Sequence, residues 1–252
     1  MHIVIPRTPI SGVPATNFQL SQRVFSAAMP PSVKNRPDRQ LTRNDIVDTV
    51  GTEKLNEIED LEILFLSCSE PGGLIDCTSL RRLCMIDNGL KFIRNLQPLG
   101  YTLTSLTLCD QSITVMENLD LPNLRELFLH RNNITRIEGL MGCQRLKKLW
   151  LFQNKITHIE GLHAVPEMEE LWLHANHITS LEGIDVCGSL TNLGVAGNPI
   201  SNFQELQHLS DMGQMVELTL SDVHFGRAPL VDDVGYKEYV LTRTRTRTRT
   251  PI

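Results

Sequence analysis

"LRELFLHRNNITRIEGLMGCQR" (residues 124–145), "LKKLWLFQNKITHIEGLHAVPE" (146–167) and "MEELWLHANHITSLEGIDVCGS" (168–189) are three consecutive copies of one pattern. Their shared skeleton is L-x-x-L-x-L-x-x-N-x-I-x-x-I-E-G-L. Outside these copies the pattern weakens, but a leucine still recurs at intervals of about 19 to 25 residues, which is a repeat period. The recurring positions are Leu64, Leu83, Leu106, Leu127, Leu149, Leu171, Leu193 and Leu218. Self-similarity at this period predicts a solenoid in which each copy forms one coil.

The skeleton also predicts the form of each coil. The L-x-L pairs alternate with polar or aromatic residues, as a half-buried strand requires. One strand cannot bury its apolar face alone, so we expect successive coils to stack, with their strands paired in parallel along the inner wall of a horseshoe. The Ile and Leu residues that follow are spaced by three, which suits short 3-10 turns. We therefore predict an α/β leucine-rich-repeat solenoid with parallel concave strands and short 3-10 or helical convex segments.

A buried asparagine is expected where each strand turns away. It occupies the ninth position of five copies, where its side-chain amide can satisfy backbone groups. Ser69, Gln111 and Val223 interrupt this column toward the ends, where terminal repeats are usually atypical. The column consists of Asn88, Asn132, Asn154, Asn176 and Asn198.

The chain divides into four predicted parts. Residues 1–41 are rich in Pro and Ser and are predicted to be disordered. Residues 42–60 carry a weak helical pattern, broken by Gly51, and are predicted to cap the first coil. Residues 61–241 hold the repeats with a partial C-terminal cap, and residues 242–252 form a Thr-Arg low-complexity tail. That tail has no apolar face, which favours an artefact of a simple-sequence stretch; a genuine basic tail is the alternative.

Composition limits the class of partner. The formal net charge is -5, whereas nucleic acids and anionic membranes call for a concentrated basic patch. We therefore expect no nucleic-acid partner and no membrane partner. The start of the sequence lacks a secretory signal, and the 6 cysteines form no C-x-x-C pair. These features predict free thiols in a reducing compartment, in agreement with a cytoplasmic location.

The candidate binding site is the inner wall of the three best copies. Equivalent positions of parallel strands form rows, because neighbouring strands lie ~4.8 Å apart. An exposed aromatic patch with a charged rim is typical of a protein-binding surface, whereas the alternative is cross-strand stacking that only stiffens the sheet. On the binding interpretation, replacing both tryptophans by Ala leaves folding largely intact but abolishes partner capture. The predicted partner-binding residues are Glu126, Phe128, His130, Lys148, Trp150, Phe152, Glu170, Trp172 and His174.

The sequence offers no catalytic constellation. It contains no phosphate-binding glycine loop, dinucleotide fingerprint or nucleophile elbow. His130 and His174 lie two strands apart in the same row, with Phe152 between them, so we expect them not to share a metal ion, which needs three or four convergent ligands. We predict that the chain is not an enzyme and that it uses no cofactor and no metal.

The repeats resemble a known family. "LTSLTLCDQSI" (103–113), "LRELFLHRNNITRIEGL" (124–140) and "VELTLSDVHFG" (216–226) are similar to the short cytosolic leucine-rich repeats typified by regulatory subunit 7 of protein phosphatase 1. More narrowly, they are similar to the N-terminal array of the leucine-rich repeat-containing protein 9 type. "GYKEYVL" (235–241) matches the start of the cap motif of such arrays, and the Thr-Arg run replaces its remainder.

This resemblance covers about residues 60–241. The repeats in this range have the period that is typical of the family. It implies a scaffold or adaptor in the cytoplasm of ciliated cells. Its partner would be another protein: a protein phosphatase catalytic subunit or a ciliary component. The alternative function that it implies is a structural part of a ciliary or cytoskeletal assembly.

Overall fold

A computed structural model describes residues 2–3, 39–233 and 235–236 of the 252-residue chain. Most of the predicted N-terminal disordered segment, most of the "GYKEYVL" cap motif and the entire Thr-Arg tail lie outside the described residues. The strands are β1 (His2–Ile3), β2 (Asp60–Leu64), β3 (Arg82–Ile86), β4 (Ser105–Cys109), β5 (Glu126–Phe128), β6 (Lys148–Trp150), β7 (Glu170–Trp172), β8 (Asn192–Gly194), β9 (Glu217–Thr219), β10 (Ser221–Asp222) and β11 (Gly226–Arg227).

The main sheet confirms the predicted leucine-rich-repeat solenoid. Strands β2 to β9 follow one another in chain order and pair in parallel, and β1 pairs with β9 at the edge. The leucine at the second position of each strand pairs with the equivalent leucine of the next coil, without a register shift. The short antiparallel pair β10–β11 follows the last coil.

The return path of each coil is made of turns and short helices. One α-helix, α1 (Arg43–Val50), precedes the described coils. The 3-10 helices are Leu55–Glu57, Leu74–Asp76, Gln97–Leu99, Leu162–Ala164, Phe203–Leu209 and Pro229–Asp232. The leucines and isoleucines of strands and return paths form one continuous core. No helix in the described ranges has both the length and the apolarity needed to span a bilayer.

The first coil starts three residues earlier than the leucine spacing predicts. The stretch "LEILFL" offers two overlapping L-x-L-like pairs, and Leu64 is the wrong choice. Leu61 pairs with Leu83 and is buried together with Ile63, whereas Leu64 is 39% exposed. The inner-wall residue of this coil is therefore Glu62, in register with Cys84. Burial of an apolar side chain, rather than its place in a leucine count, decides the register.

The N-terminal cap is built from α1 and the turn after it. Thr42 and Asp45 form a capping box at the helix start, where each side chain accepts a hydrogen bond from the backbone N–H of the other residue. Gly51 ends the helix in the left-handed conformation with φ 71°. Ile46 and Leu55 are buried in the core, so this element covers the first coil.

The glycine of the I-E-G-L motif is required by close packing between coils. Gly161 has φ 71°, and a Cβ atom placed there would lie 2.2 Å from the backbone oxygen of Ile137 in the preceding coil. Any side chain would push the two coils apart. Gly139 and Gly183 occupy the same position in the flanking coils and make the same kind of approach.

From Asn132 onward, the asparagine column links a coil to the one before it. Asn88 departs from this prediction: its Nδ2 is buried without a hydrogen-bond partner, and its Oδ1 accepts from Nε2 of Gln111 in the next coil. Asn154 Oδ1 accepts a hydrogen bond from the backbone N–H of Ile134 at 3.0 Å. Its Nδ2 donates to the backbone oxygens of Leu129 and Leu151, both at 3.0 Å. Asn132, Asn176 and Asn198 repeat this arrangement.

Gln111 performs the same role at a position where the sequence pattern is broken. Its Oε1 accepts from the backbone N–H groups of Asn88, Gly89 and Leu90, and its Nε2 donates to the backbone oxygen of Met85. The primary amide, rather than asparagine itself, is therefore what the column needs.

We predict that Asn154→Ala lowers the free energy of unfolding by ~2–4 kcal/mol. The change leaves a buried N–H and two buried carbonyl oxygens without this partner, and each such loss costs ~1–3 kcal/mol before relaxation. Urea unfolding followed by circular dichroism measures the effect. The matched control is Asn133→Ala, at the partly exposed neighbouring position. Equal stability of the two variants would show that the column does not hold the coils together.

Candidate functional site: the inner wall

Three of the predicted site residues form a continuous aromatic row. Phe128, Trp150 and Trp172 lie directly opposite one another on β5, β6 and β7. The next strand places Gly194 opposite Trp172. A Cβ atom at Gly194 would lie 2.4 Å from ring atom Cε3 of Trp172, so the glycine provides the space in which this indole lies.

The aromatic row is buried, and the prediction that it forms an exposed patch was wrong. Phe128 is 2% exposed, Trp150 1% and Trp172 3%. The rings lie tilted against one another, with the centroids of Phe128 and Trp150 only 4.5 Å apart. Together with Phe152 they form a second apolar cluster, separate from the main core, which we call the inner-wall cluster.

The burial also overturns the expectation that the double tryptophan-to-alanine variant stays folded. Each truncation of a buried Trp costs ~3–5 kcal/mol, because it loses transfer energy and leaves a cavity. Two such losses are comparable to the whole stability of a typical domain. Partner-binding tests of this surface therefore need substitutions outside the ring cluster.

The second predicted row contains His130, Phe152 and His174. The imidazole of His130 stacks on the ring of Phe152 with centroids 4.3 Å apart and planes 16° apart. His174 lies 5.2 Å from Trp172, centroid to centroid, and its Nδ1 accepts a hydrogen bond from the backbone N–H of Ala196. The row is thus joined to the aromatic row by ring contacts rather than lying apart from it.

Phe225 is a component that sequence reasoning missed. It lies near the tip of the β10–β11 hairpin and packs against the inner-wall cluster. Its ring stacks on His174 at 5.0 Å with planes 10° apart and contacts Phe152 at 5.3 Å. The one usable signal was "SDVHFGR" (221–227), in which an Asp and a Gly bracket a short turn after a strand. Nothing in that signal indicates that the turn folds back onto the wall.

Several ring nitrogens of the wall are buried without a hydrogen-bond partner. In the described part of the chain they are Nε1 of Trp150 and of Trp172, both nitrogens of His130, and Nε2 of His174. A buried polar atom without a partner costs ~1–3 kcal/mol, so this wall is less stable than an all-carbon one of the same shape.

Burial holds both histidines neutral. It lowers the pKa of His130 from 6.5 to about 3, with a smaller contribution from the nearby Arg131 cation. It lowers the pKa of His174 to about 4, against the opposing effect of Asp222. Because Nδ1 of His174 accepts a hydrogen bond, its proton lies on Nε2.

The third predicted row is charged and remains partly open to solvent. Lys148 Nζ lies 3.6 Å from a carboxylate oxygen of Glu126 and 3.6 Å from one of Glu170. The side chains of Glu126 and Lys148 are 36% and 27% exposed. Exposed pairs of this kind contribute little stability, ~0–1 kcal/mol each, so the row is better suited to recognition than to folding.

The prediction that the inner wall holds no metal ion was based on the distance between His130 and His174. Within the described ranges, no three His, Cys, Asp or Glu side chains converge as metal ligands would. Phe152 separates the two histidines, as expected from the sequence, and stacks on one of them.

Comparisons with known proteins agree with the repeat architecture. Residues 122–164 and 144–186 match a family model described as leucine-rich repeats, in 2 overlapping copies. Residues 122–186 are therefore leucine-rich repeats. No curated protein matches the chain.

Solved structures show the same fold. An internalin, InlF from Listeria monocytogenes, is 23% identical with a TM-score of 0.57, over 66% of this chain and 49% of that one. The chain thus spans about half the length of InlF. Internalin C2 from the same organism is 20% identical with a TM-score of 0.53, over 70% and 91% of the two chains. The functional domain of InlJ, which includes a cysteine ladder, is 21% identical with a TM-score of 0.50, over 60% and 32%.

We predict that the two buried histidines lower the free energy of unfolding as the pH falls. A group whose folded pKa is depressed binds its proton only on unfolding, so stability is complete above the unfolded pKa of ~6.5 and declines toward the folded value. On going from pH 7.5 to pH 5.5, each histidine lowers the free energy of unfolding by ~1.4 kcal/mol. His130→Phe keeps the stacked ring and removes one of the two contributions. Urea unfolding at the two pH values, with His163→Gln at an exposed position as control, measures the difference. A His130→Phe variant with the parent's full pH dependence would contradict the assignment.

Proposed function

We propose that this chain is a non-catalytic scaffold that binds a partner protein on the concave wall of its solenoid. Leucine-rich-repeat folds generally serve as protein-interaction scaffolds, which supports this class of function. The proposed contact residues are Glu126, Phe128, His130, Lys148, Trp150, Phe152, Glu170, Trp172 and His174.

The observation that carries the proposal is the gathering of these side chains on one wall. They come from three coils, and strict parallel register places them in adjacent rows. A charged row that is partly exposed lies beside aromatic rings whose polar nitrogens have no partner. Binding hot spots have this composition, with aromatic anchors surrounded by polar groups.

Burial of the rings divides binding into two steps. The charged row is the accessible part, so a partner meets Glu126, Lys148 and Glu170 first. Contact with the rings then requires groups that cover them to move aside. Such a change reduces the observed affinity by the fraction of molecules in the open state.

A narrower version assigns the partner as a protein phosphatase catalytic subunit. Its support is the resemblance, inferred from the sequence alone, of the repeats to those typified by regulatory subunit 7 of protein phosphatase 1 and to the leucine-rich repeat-containing protein 9 type. The alternating acidic and basic side chains beside aromatic rings suit a partner surface of mixed charge. The purified catalytic subunit is the first candidate to test.

The second candidate function is a structural part of a ciliary or cytoskeletal assembly, with a location in the cytoplasm or the cilium. Its support is the rigid, coil-by-coil packing, which makes the solenoid a spacer of fixed length. Co-purification with axonemes that resists high salt favours this function. Release of a bound partner by salt favours the adaptor, because it depends on exposed charges.

We predict that neutralising the charged row weakens partner capture roughly tenfold without unfolding the chain, since rim charges govern association and register. The variant combines Glu126→Gln, Lys148→Gln and Glu170→Gln, which preserve side-chain size. The matched control combines Arg136→Gln and Glu160→Gln, another cross-coil ion pair, at 2.8 Å. Affinity capture from native lysate, followed by titration with the purified phosphatase subunit, measures the effect. Capture that is equal for the two variants would refute the concave-wall assignment.

A further inference from the structure

The hairpin that carries Phe225 is a preformed tight turn. Asp222 Oδ1 accepts hydrogen bonds from the backbone N–H groups of His224 and Phe225, at 2.8 and 3.1 Å. Gly226 completes the turn in the left-handed region with φ 86°. These contacts lie within the turn itself, so its shape does not depend on the wall that it touches.

The turn lies against the wall at two points. The ring of Phe225 occupies an aromatic slot formed by Phe152 and His174. The backbone oxygen of Phe225 would lie 2.1 Å from a Cβ atom placed at Gly197, so this glycine allows the turn to approach. Phe225 therefore enters the slot as a side chain presented by a turn, with its backbone in close contact.

The base of the hairpin is firmly held, whereas its tip is not. Leu220, Ala228 and Leu230 are buried, and the backbone N–H of Ala228 donates to the oxygen of Leu220. At the tip, Val223 is 64% exposed and His224 is exposed. Displacement of the tip would thus break the two ring contacts and the approach to Gly197 without removing the buried base from the core.

The contact between Phe225 and the slot is made by ring faces. Phe225 stacks on His174 with planes 10° apart, and its ring centroid lies 5.3 Å from that of Phe152. The nitrogens of His174 lie at the edge of this stack, where Nδ1 accepts a hydrogen bond from the backbone N–H of Ala196 and Nε2 lies beside Gly194. The slot therefore selects for an aromatic ring, and a ring presented by another chain at the same angle fits the same place.

We propose that Phe225 is an internal stand-in for an aromatic side chain that the partner protein presents on a tight turn, and that the partner displaces it. The proposal rests on the concave-wall function and names the partner segment: a tight turn that presents an aromatic residue to the faces of Phe152 and His174. The chain's own hairpin competes for the slot, so it lowers affinity for partners that lack such a residue.

The test uses the full chain and a peptide copy of the hairpin. The probe is residues 219–229 as a backbone-cyclised peptide, which keeps the turn shape, and a second peptide has Ala in place of Phe225. The proteins are the parent, Phe225→Ala, and Val223→Ala as a control on the same hairpin at an exposed position. Both tryptophans of the chain lie in the inner-wall cluster, so their emission reports occupancy of the slot.

We expect the Phe-containing peptide to bind Phe225→Ala at least roughly tenfold more tightly than it binds the parent or Val223→Ala, because the internal competitor is gone. The Ala-containing peptide should not bind. Equal binding of both peptides, or no binding to a Phe225→Ala chain with a parental circular dichroism spectrum, would overturn the proposal.

The peptide result is independent of partner capture. If the peptide binds Phe225→Ala while the charge-neutral variant captures partners normally, the proposed role of Phe225 is supported and the concave-wall function is contradicted. If the charge-neutral variant loses its partner while the peptide does not bind, the function remains and the stand-in role of Phe225 fails.

Discussion

The structure depends on buried primary amides that tie each coil to its predecessor. Where a strand ends, the chain turns outward through a residue in the left-handed region, such as Arg131 or Gln153, and leaves backbone groups without strand partners. An amide satisfies donors and acceptors in two coils at once, as at Asn154 and Gln111. Because unsatisfied buried groups are costly, these amides, from Gln111 to Asn198, fix the position of each of their coils on the preceding one. The stacking of the leucine core then follows.

The same fixed register builds the inner wall, at a cost in stability. Side chains far apart in sequence, such as Phe128 and Trp172, become members of one row. The wall buries aromatic area, but it also buries ring nitrogens without partners and two neutral histidines. The charged row of Glu126, Lys148 and Glu170, which lies partly open to solvent beside this wall, is the physical basis of the proposed recognition role.

The sequence predicted the elements that depend on local periodicity. The strand positions from Leu83 onward, the parallel stacking and the burial of the asparagine column follow from spacing alone, and so does the gathering of Glu126, Lys148 and Glu170 in one row. Two features depend on contacts that spacing does not encode. The first coil uses Leu61 because burial selects between two overlapping pairs. The rings are covered because Phe225 returns from a later hairpin and because neighbouring rings tilt onto one another.

Residue-resolved hydrogen exchange tests the central claim, that side-chain amides hold the coils in register. The backbone N–H groups of Ile134, Ile156 and Ile178 donate to asparagine side chains rather than to another strand. We predict that these N–H groups exchange as slowly as those of the neighbouring strands β6 and β7, because they open only when coils separate. Exchange as fast as that of exposed turn residues would contradict the account, since the coils would then be held together without the amide column.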